Sequence, residues 1–219
     1  IPDYPKSGAR ASALALGVRV IHQGDVEVLL HYCCRDRTLI GMQSDLVGAQ
    51  AMGVRNLLLV TGNPAPRANY ADATSVFDVD AIGLTNMVSR LNRGLDIGGQ
   101  PVGAPTRFHT GVGLSPFAPS ADEEWRRLMH KVEAGAEFIV TPPIFDVEAF
   151  GTMLDRLSRT GLPIIAGLAA FDGLRHAEFL ASEVAGVRIP DDVFERLRNA
   201  DDQPAEALAI ALEIARALR

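Results

Sequence analysis

Residues 26–34 read VEVLLHYCC, and residues 56–62 read NLLLVTG. Both are short apolar runs without the polar alternation of a half-exposed strand. Such runs suit strands covered on both faces, as in a parallel sheet. Three more follow at Thr106–Leu114 (TRFHTGVGL), Phe138–Phe145 (FIVTPPIF) and Pro163–Ala169 (PIIAGLA). Between them the apolar spacing becomes helical. Ala9–Gln23 carries Leu14, Val18 and Ile21, and Asp80–Leu91 carries Ile82, Leu84, Met87, Val88 and Leu91. Gly41–Met52 ends at Gly53, which suits the left-handed residue after a helix. Ser120-Ala121-Asp122-Glu123 has the spacing of a capping box at the head of a helix over Ala121–Ala134. Asp146–Arg159 stops before Gly161-Leu162-Pro163. Leu174–Ser182, Asp191–Arg198 and Pro204–Leu218 complete the helices, with Pro204 suited to a first turn.

Strands alternating with helices predict an α/β domain with a parallel sheet. Two architectures compete. A nucleotide-binding doubly wound sheet carries GxGxxG or GxxxxGK[ST] after its first strand, and neither pattern occurs. Gly111-Val112-Gly113 comes closest, but Pro116 stands where the third glycine belongs. Polar residues gather instead at strand ends: His31, Arg35, Thr61, Asn63, His109 and Thr141. That placement is site-forming in a (β/α)8 TIM barrel, the fold class expected here. Only five strands are legible, whereas such a barrel has eight in about 250 residues. The expectation is therefore one barrel domain over residues 1–219, lacking its N-terminal strand or strands and its last strand. Ile1–Pro5 should then lie beside the residues that follow His31.

Composition narrows the function. The 219 residues carry a net charge of -6, with 47% hydrophobic and 22% charged residues and a mean hydropathy of +0.11. The acidic balance and scattered Lys and Arg argue against a nucleic-acid partner. The apolar runs are strand-sized, so no membrane span is expected. No charged-then-apolar secretion signal opens the sequence. The two cysteines, Cys33 and Cys34, are adjacent and do not form a relaxed disulfide. A cytoplasmic location is the expectation.

At His31-Tyr32-Cys33-Cys34-Arg35-Asp36-Arg37-Thr38 the chain resembles the methylenetetrahydrofolate reductase family, whose members carry His-x-x-Cys-Arg-Asp-Arg after an early barrel strand. The resemblance runs on through Gln43-Ser44-Asp45-Leu46, Gly53-Val54-Arg55-Asn56, Thr61-Gly62-Asn63-Pro64 and Val76–Leu84. It is densest at Lys131–Thr141, with Phe145-Asp146 after it, and returns at Gly186-Val187-Arg188-Ile189-Pro190. The resemblance implies a flavin-bearing TIM barrel. Such a protein reduces 5,10-methylenetetrahydrofolate to 5-methyltetrahydrofolate with NAD(P)H through bound FAD, as a homo-oligomer or with a partner subunit. In the family the general acid is a Glu on the first strand, which falls upstream of Ile1.

The same resemblance assigns residues. His31, Thr61, Gly62, Asn63 and Asp80 fall at flavin-contacting positions. Lys131, helped by Arg127 one turn earlier, falls where the FAD phosphates are held. Asn63 is the one catalytic candidate, and it stands where the family usually has Asp. It keeps the hydrogen-bonding capacity and loses the charge. Pro142, Phe145 and Leu174 fall on the folate side. Pro142 replaces a Gln that grips the pterin, and Leu174 falls where some relatives have Phe. Each residue also has a plainer role open to it. Asp80 can cap a helix, Asn63-Pro64 can start a turn, Phe145 can be core, and His31 can be a satisfied core histidine. No metal is expected. Two other functions stay open: a family member that binds folate or a methyl-carrier partner without reduction, and a zinc-assisted methyltransferase. The latter would use Cys33 and Cys34 with His31 or His109.

Overall fold

The computed structural model describes residues 1–3, 10–62, 75–184 and 186–219. Helix α1 (Ala13–Gln23) leads to β1 (Leu29–Cys33), α2 (Leu39–Ala51) and β2 (Asn56–Val60). Then come α3 (Ala81–Leu91), β3 (His109–Gly113), α4 (Ala121–Glu133), β4 (Phe138–Pro143), α5 (Val147–Ser158) and β5 (Ile164–Gly167). Helices α6 (Leu174–Glu183), α7 (Asp191–Asn199) and α8 (Gln203–Ala217) follow. The strands form one sheet in sequence order, β1-β2-β3-β4-β5. The pairs β1–β2, β2–β3 and β4–β5 are parallel. Parallel neighbours joined through helices are the repeating unit of a (β/α)8 barrel wall, in agreement with the expected fold class.

The strands are shorter than the apolar runs that announced them. Val26 is exposed, and β1 begins only at Leu29. The helix ends follow local side chains. Ser12 caps α1 by accepting from the Ala15 amide at 3.1 Å, so α1 starts after Ala9. Thr38 caps α2 through the Gly41 amide at 3.2 Å, so that helix starts two residues before Gly41. Asp146 and Asp202 cap α5 and α8 at 2.9 and 3.1 Å. Such caps are worth roughly 1 kcal/mol each. Gly53 takes the left-handed conformation after α2 (φ 94°).

The chain divides into two compact units. One comprises Ile1–Val112 with His130–Glu137, and the other Gly113–Met129 with Phe138–Arg219. In the first, Leu30 and Tyr32 of β1 and Leu57 and Leu59 of β2 pack against Met42 and Leu46 of α2 and Leu84 and Met87 of α3. These side chains are essentially inaccessible, and each large aliphatic buried this way contributes about 1.5–3 kcal/mol. In the second unit, Phe145, Phe171, Ile189, Leu197 and Ile210 anchor a separate cluster.

Ile1–Asp3 runs along β1 as a parallel neighbour. The Ile1 nitrogen donates to the Leu29 carbonyl at 2.7 Å, and the His31 amide donates to the Ile1 carbonyl at 3.0 Å. Asp3 thus meets Cys33 and Arg37, which follow His31 as expected, whereas Ile1 pairs with Leu29 and His31 themselves; residues 4 and 5 lie outside the described residues.

Candidate active site

Apart from Arg127, the first unit holds every expected cofactor residue among the described residues, with Thr61 and Gly62 at the end of β2, His31 within β1, Asp80 at the head of α3 and Lys131 on α4. The parallel ladder runs past both strands. The Cys34 amide donates to the Val60 carbonyl and the Arg35 amide to the Thr61 carbonyl, each at 3.2 Å. Gly62 then adopts a left-handed conformation (φ 84°). A Cβ there would sit 3.1 Å from the Arg35 Cβ and 3.3 Å from the Cys33 Cβ. Both the dihedral and the space require glycine, so the peptide after Thr61 carries no side chain of its own. The Thr61 hydroxyl accepts from the Ala81 amide at 3.0 Å, tying the end of β2 to the head of α3.

Asp80 caps α3. Its Oδ1 accepts from the Ile82 and Gly83 amides at 3.0 and 3.1 Å, where the helix dipole favours a negative charge. The capping role open to Asp80 is the one the structure shows. His31 is half-buried on β1, and burial lowers its pKa below the usual histidine value, so the ring is neutral at pH 7. Lys131 lies in the last turn of α4 and is only 6% exposed. Arg127, one turn earlier, is partly exposed. Asn63 lies outside the described residues.

The two thiols turn into the protein. Cys33 Sγ lies 3.9 Å from the Arg35 carbonyl, and Cys34 Sγ lies 3.6 Å from that of Val60. Burial raises both pKa values, that of Cys34 to about 12. Neither is a ready thiolate. Among the described residues, no group of three or more His, Cys, Asp or Glu side chains is placed to hold a metal ion.

In the second unit, β4 ends in a bulge between Val140 and Pro143. The buried Thr141 hydroxyl accepts from the Gly167 amide at 3.0 Å and donates to the Pro142 carbonyl at 2.8 Å. Pro142 brings no side-chain donor or acceptor to this end of the sheet. Phe145 is 5% exposed and meets Phe171 edge-on, with centroids 5.4 Å apart and planes at 66°. Leu174 packs on the same cluster, and its amide donates to Gln203 Oε1 at 3.1 Å. Of the folate-side candidates, Phe145 and Leu174 thus share one apolar cluster, while Pro142 sits at the bulge.

The sequence did not single out Asp3, Tyr32, Arg37 and Asp45 as a group, yet they form a connected network at the end of β1. Arg37 and Asp3 are 34 residues apart. No local pattern signals that pairing, although Arg37 stands inside the motif that carried the resemblance.

Parallel strands with a bare glycine peptide at the C-terminal end of β2, a neutral imidazole within β1 and a helix-capping carboxylate at the head of α3 define an α/β protein of the barrel class. A model of the methylenetetrahydrofolate reductase family matches residues 3–218, and the chain belongs to that family. It is 28% identical over 199 residues to methylenetetrahydrofolate reductase 1 of Schizosaccharomyces pombe, covering 87% of this chain and 31% of that protein. A probable methylenetetrahydrofolate reductase (NADPH) of Caenorhabditis elegans is 24% identical over 188 residues, covering 85% and 26%. The 5,10-methylenetetrahydrofolate reductase of Salmonella typhimurium is 27% identical over 199 residues, covering 88% and 62%. The chain thus spans less than a third of the first two relatives. Among the described residues, no helix is long and apolar enough to cross a membrane.

Proposed function

We propose that this chain carries the flavin-binding part of an oxidoreductase that reduces 5,10-methylenetetrahydrofolate to 5-methyltetrahydrofolate with NAD(P)H. The observation that carries this reading is the family match over residues 3–218, which includes every residue of the strand-end group described above. The two buried, unpaired thiols favour a reducing, cytoplasmic compartment.

The residues present suit FAD in kind. A flat ring system needs an edge of backbone, and the Thr61–Gly62 peptide is assigned to it, with the place of the missing Gly62 Cβ taken by the Cβ atoms of Cys33 and Arg35. A diphosphate needs cations, and Lys131 with Arg127 places two on successive turns of α4. When bound, the flavin supplies the hydride relay between nicotinamide and folate. His31, Thr61, Gly62, Asn63 and Asp80 are assigned to hold the ring and its chain. His31 does so as a neutral imidazole, able to donate from one nitrogen and accept at the other. Asp80 fixes the head of α3, and through it the Ala81 amide that orients Thr61. On the folate side, Pro142, Phe145 and Leu174 offer apolar contact in place of hydrogen bonds. Recognition of the pterin there rests on shape and on backbone groups.

The test uses purified protein supplied with FAD under anaerobic conditions. The expected result is flavin absorbance retained after gel filtration, bleaching by NADH or NADPH, and recovery of colour on adding methylenetetrahydrofolate. Bleaching without recovery would favour a member that binds folate without reducing it, consistent with Pro142. Absence of flavin together with stoichiometric zinc would favour the methyltransferase reading.

A further inference from the structure

One side chain in the first unit gathers more partners than any role assigned so far requires. The Arg37 guanidinium is only 19% exposed. Its Nη1 donates to Asp3 Oδ2 at 2.7 Å and to the Cys33 carbonyl at 2.9 Å, and lies 3.4 Å from Cys33 Sγ. Its Nε is 3.5 Å from Asp45 Oδ2 on α2. The guanidinium also sits 4.5 Å over the Tyr32 ring, and the Tyr32 hydroxyl donates to the same Asp45 oxygen at 2.9 Å. One planar fork thus ties together the Ile1–Asp3 segment, the end of β1 and helix α2.

The backbone around Arg37 is equally committed. Its amide closes a turn onto the Cys34 carbonyl at 3.2 Å. Asp36 inside that turn has φ 62°, and it alone among the described non-glycine residues has positive φ. A left-handed aspartate costs about 1 kcal/mol or more and persists only where its surroundings hold it. Asp36 donates its amide to the Val76 carbonyl at 3.0 Å, and Arg37 forms a bridge with Phe77. The segment that leads to Asp80 is therefore pinned to the same turn. The two side chains that wall Gly62, those of Cys33 and Arg35, stand on either side of Cys34 where this turn begins.

We propose that Arg37 is the positioning residue of this rim: by binding Asp3, the Cys33 carbonyl and Asp45 at once, it fixes the slot in which the Thr61–Gly62 peptide is seated. The slot is a property of the fold. Its consequence for a ligand rests on the flavin reading above, since the seated peptide is the backbone edge assigned to the ring. Arg37 acts through Cys33 and Gly62 and touches no reacting atom. Lysine cannot replace it: one ammonium nitrogen could take over the Asp3 and Cys33 bonds that Nη1 makes, but it has no second nitrogen to stand by Asp45 and no plane to lie over Tyr32.

The experiment compares wild type with Arg37→Lys and Asp3→Asn, using the full chain. Amide hydrogen exchange is followed first without flavin, then flavin affinity and the visible circular dichroism of bound flavin. Both variants should exchange at least tenfold faster at Cys34, Arg35 and Asp36, with Leu57–Leu59 and helix α8 unchanged. Flavin affinity should fall at least tenfold, with an altered dichroism spectrum at saturation and an unchanged thermal midpoint of the second unit. Arg37→Lys behaving as wild type would overturn the proposal, because charge alone would then suffice. Uniformly faster exchange along the whole chain would also overturn it, as would a loosened rim with undiminished flavin affinity. If the wild type binds no flavin, the cofactor reading fails by itself and the rim amides decide the positioning role.

Discussion

The backbone of Gly167 lies so close to Pro142 that a methyl group on its α-carbon would sit 2.7 Å from the Pro142 carbonyl carbon and oxygen. The Thr141 carbonyl oxygen would lie at the same distance, so backbone atoms alone oppose the methyl group and no side chain can swing aside. Gly167→Ala must then force β4 and β5 apart and strain the Thr141 hydroxyl bond to the Gly167 amide. The expected loss is about 2–3 kcal/mol, the upper range for overpacking. Gly151, in the middle of α5, has open space around its would-be Cβ. Gly151→Ala should stabilise by roughly 1 kcal/mol through helix propensity. Urea denaturation of the two variants checks the opposite signs.

His31 gives a pH signature. Burial holds its native pKa below the ordinary value near 6.5. As pH falls through 6.5 the unfolded chain takes up the proton first, so the unfolded state binds more protons and stability declines on acidification. The loss runs between the ordinary pKa and the lowered native one, and stability is fully present above that window. One proton sets a slope of at most about 1.4 kcal/mol per pH unit. His31→Asn should remove this part of the slope. Unfolding free energies of both proteins between pH 5 and 8 measure it.

Arg196 on α7 grips Glu213 on α8 with two hydrogen bonds of 2.7 and 3.0 Å, and Glu206 with a third of 2.7 Å. The hydrogen bonds from Arg196 hold the Glu213 carboxylate below the usual glutamate range. A depressed carboxylate pKa contributes stability above the unfolded value, and that contribution is lost as pH falls through the native one. The pair is exposed, so the effect is small and sensitive to salt. Arg196→Lys should lower the thermal midpoint slightly at pH 7 and low ionic strength. The difference should vanish near pH 2 or in molar salt.

Much of the framework was readable because it is written locally. Apolar runs without alternation marked the five strands, Gly53 and Gly161 marked helix ends, and Asp80 announced the cap it forms. Strand ends were overdrawn because flanking apolar residues such as Val26 resemble strand residues until exposure is known. The glycine requirement at 62 was legible as a possibility of close approach, whereas the walls that impose it, Cys33 and Arg35, come from a neighbouring strand. The Arg37 network was illegible for the same reason. Its partners Asp3 and Asp45 come from separate segments, and only parallel pairing of the chain brings them together. Phe145 was open to two readings. Its edge-on contact with Phe171 makes it part of the second unit's core, and any contact with folate must come from the ring's small exposed margin.

Asn63 follows Gly62 directly in sequence, and its chemistry predicts a redox effect. If the flavin lies on the Thr61–Gly62 peptide, Asn63→Asp introduces a carboxylate beside it. Reduced flavin tends to be anionic, so a new negative charge disfavours reduction and should lower the midpoint potential. A unit charge at close range in a partly desolvated site is worth about 1–4 kcal/mol. Any solvent reaching the charge weakens the interaction, so the expectation lies in the lower part of that range. The same charge favours the cationic form of the folate carbon that receives hydride, so the two half-reactions should respond in opposite directions. Reduction by NAD(P)H should slow while reoxidation by methylenetetrahydrofolate quickens. Redox titration of flavin-loaded wild type and Asn63→Asp, with stopped-flow traces of each half-reaction, measures both effects. An unchanged midpoint would make Asn63 a turn residue ahead of Pro64 and remove it from the site.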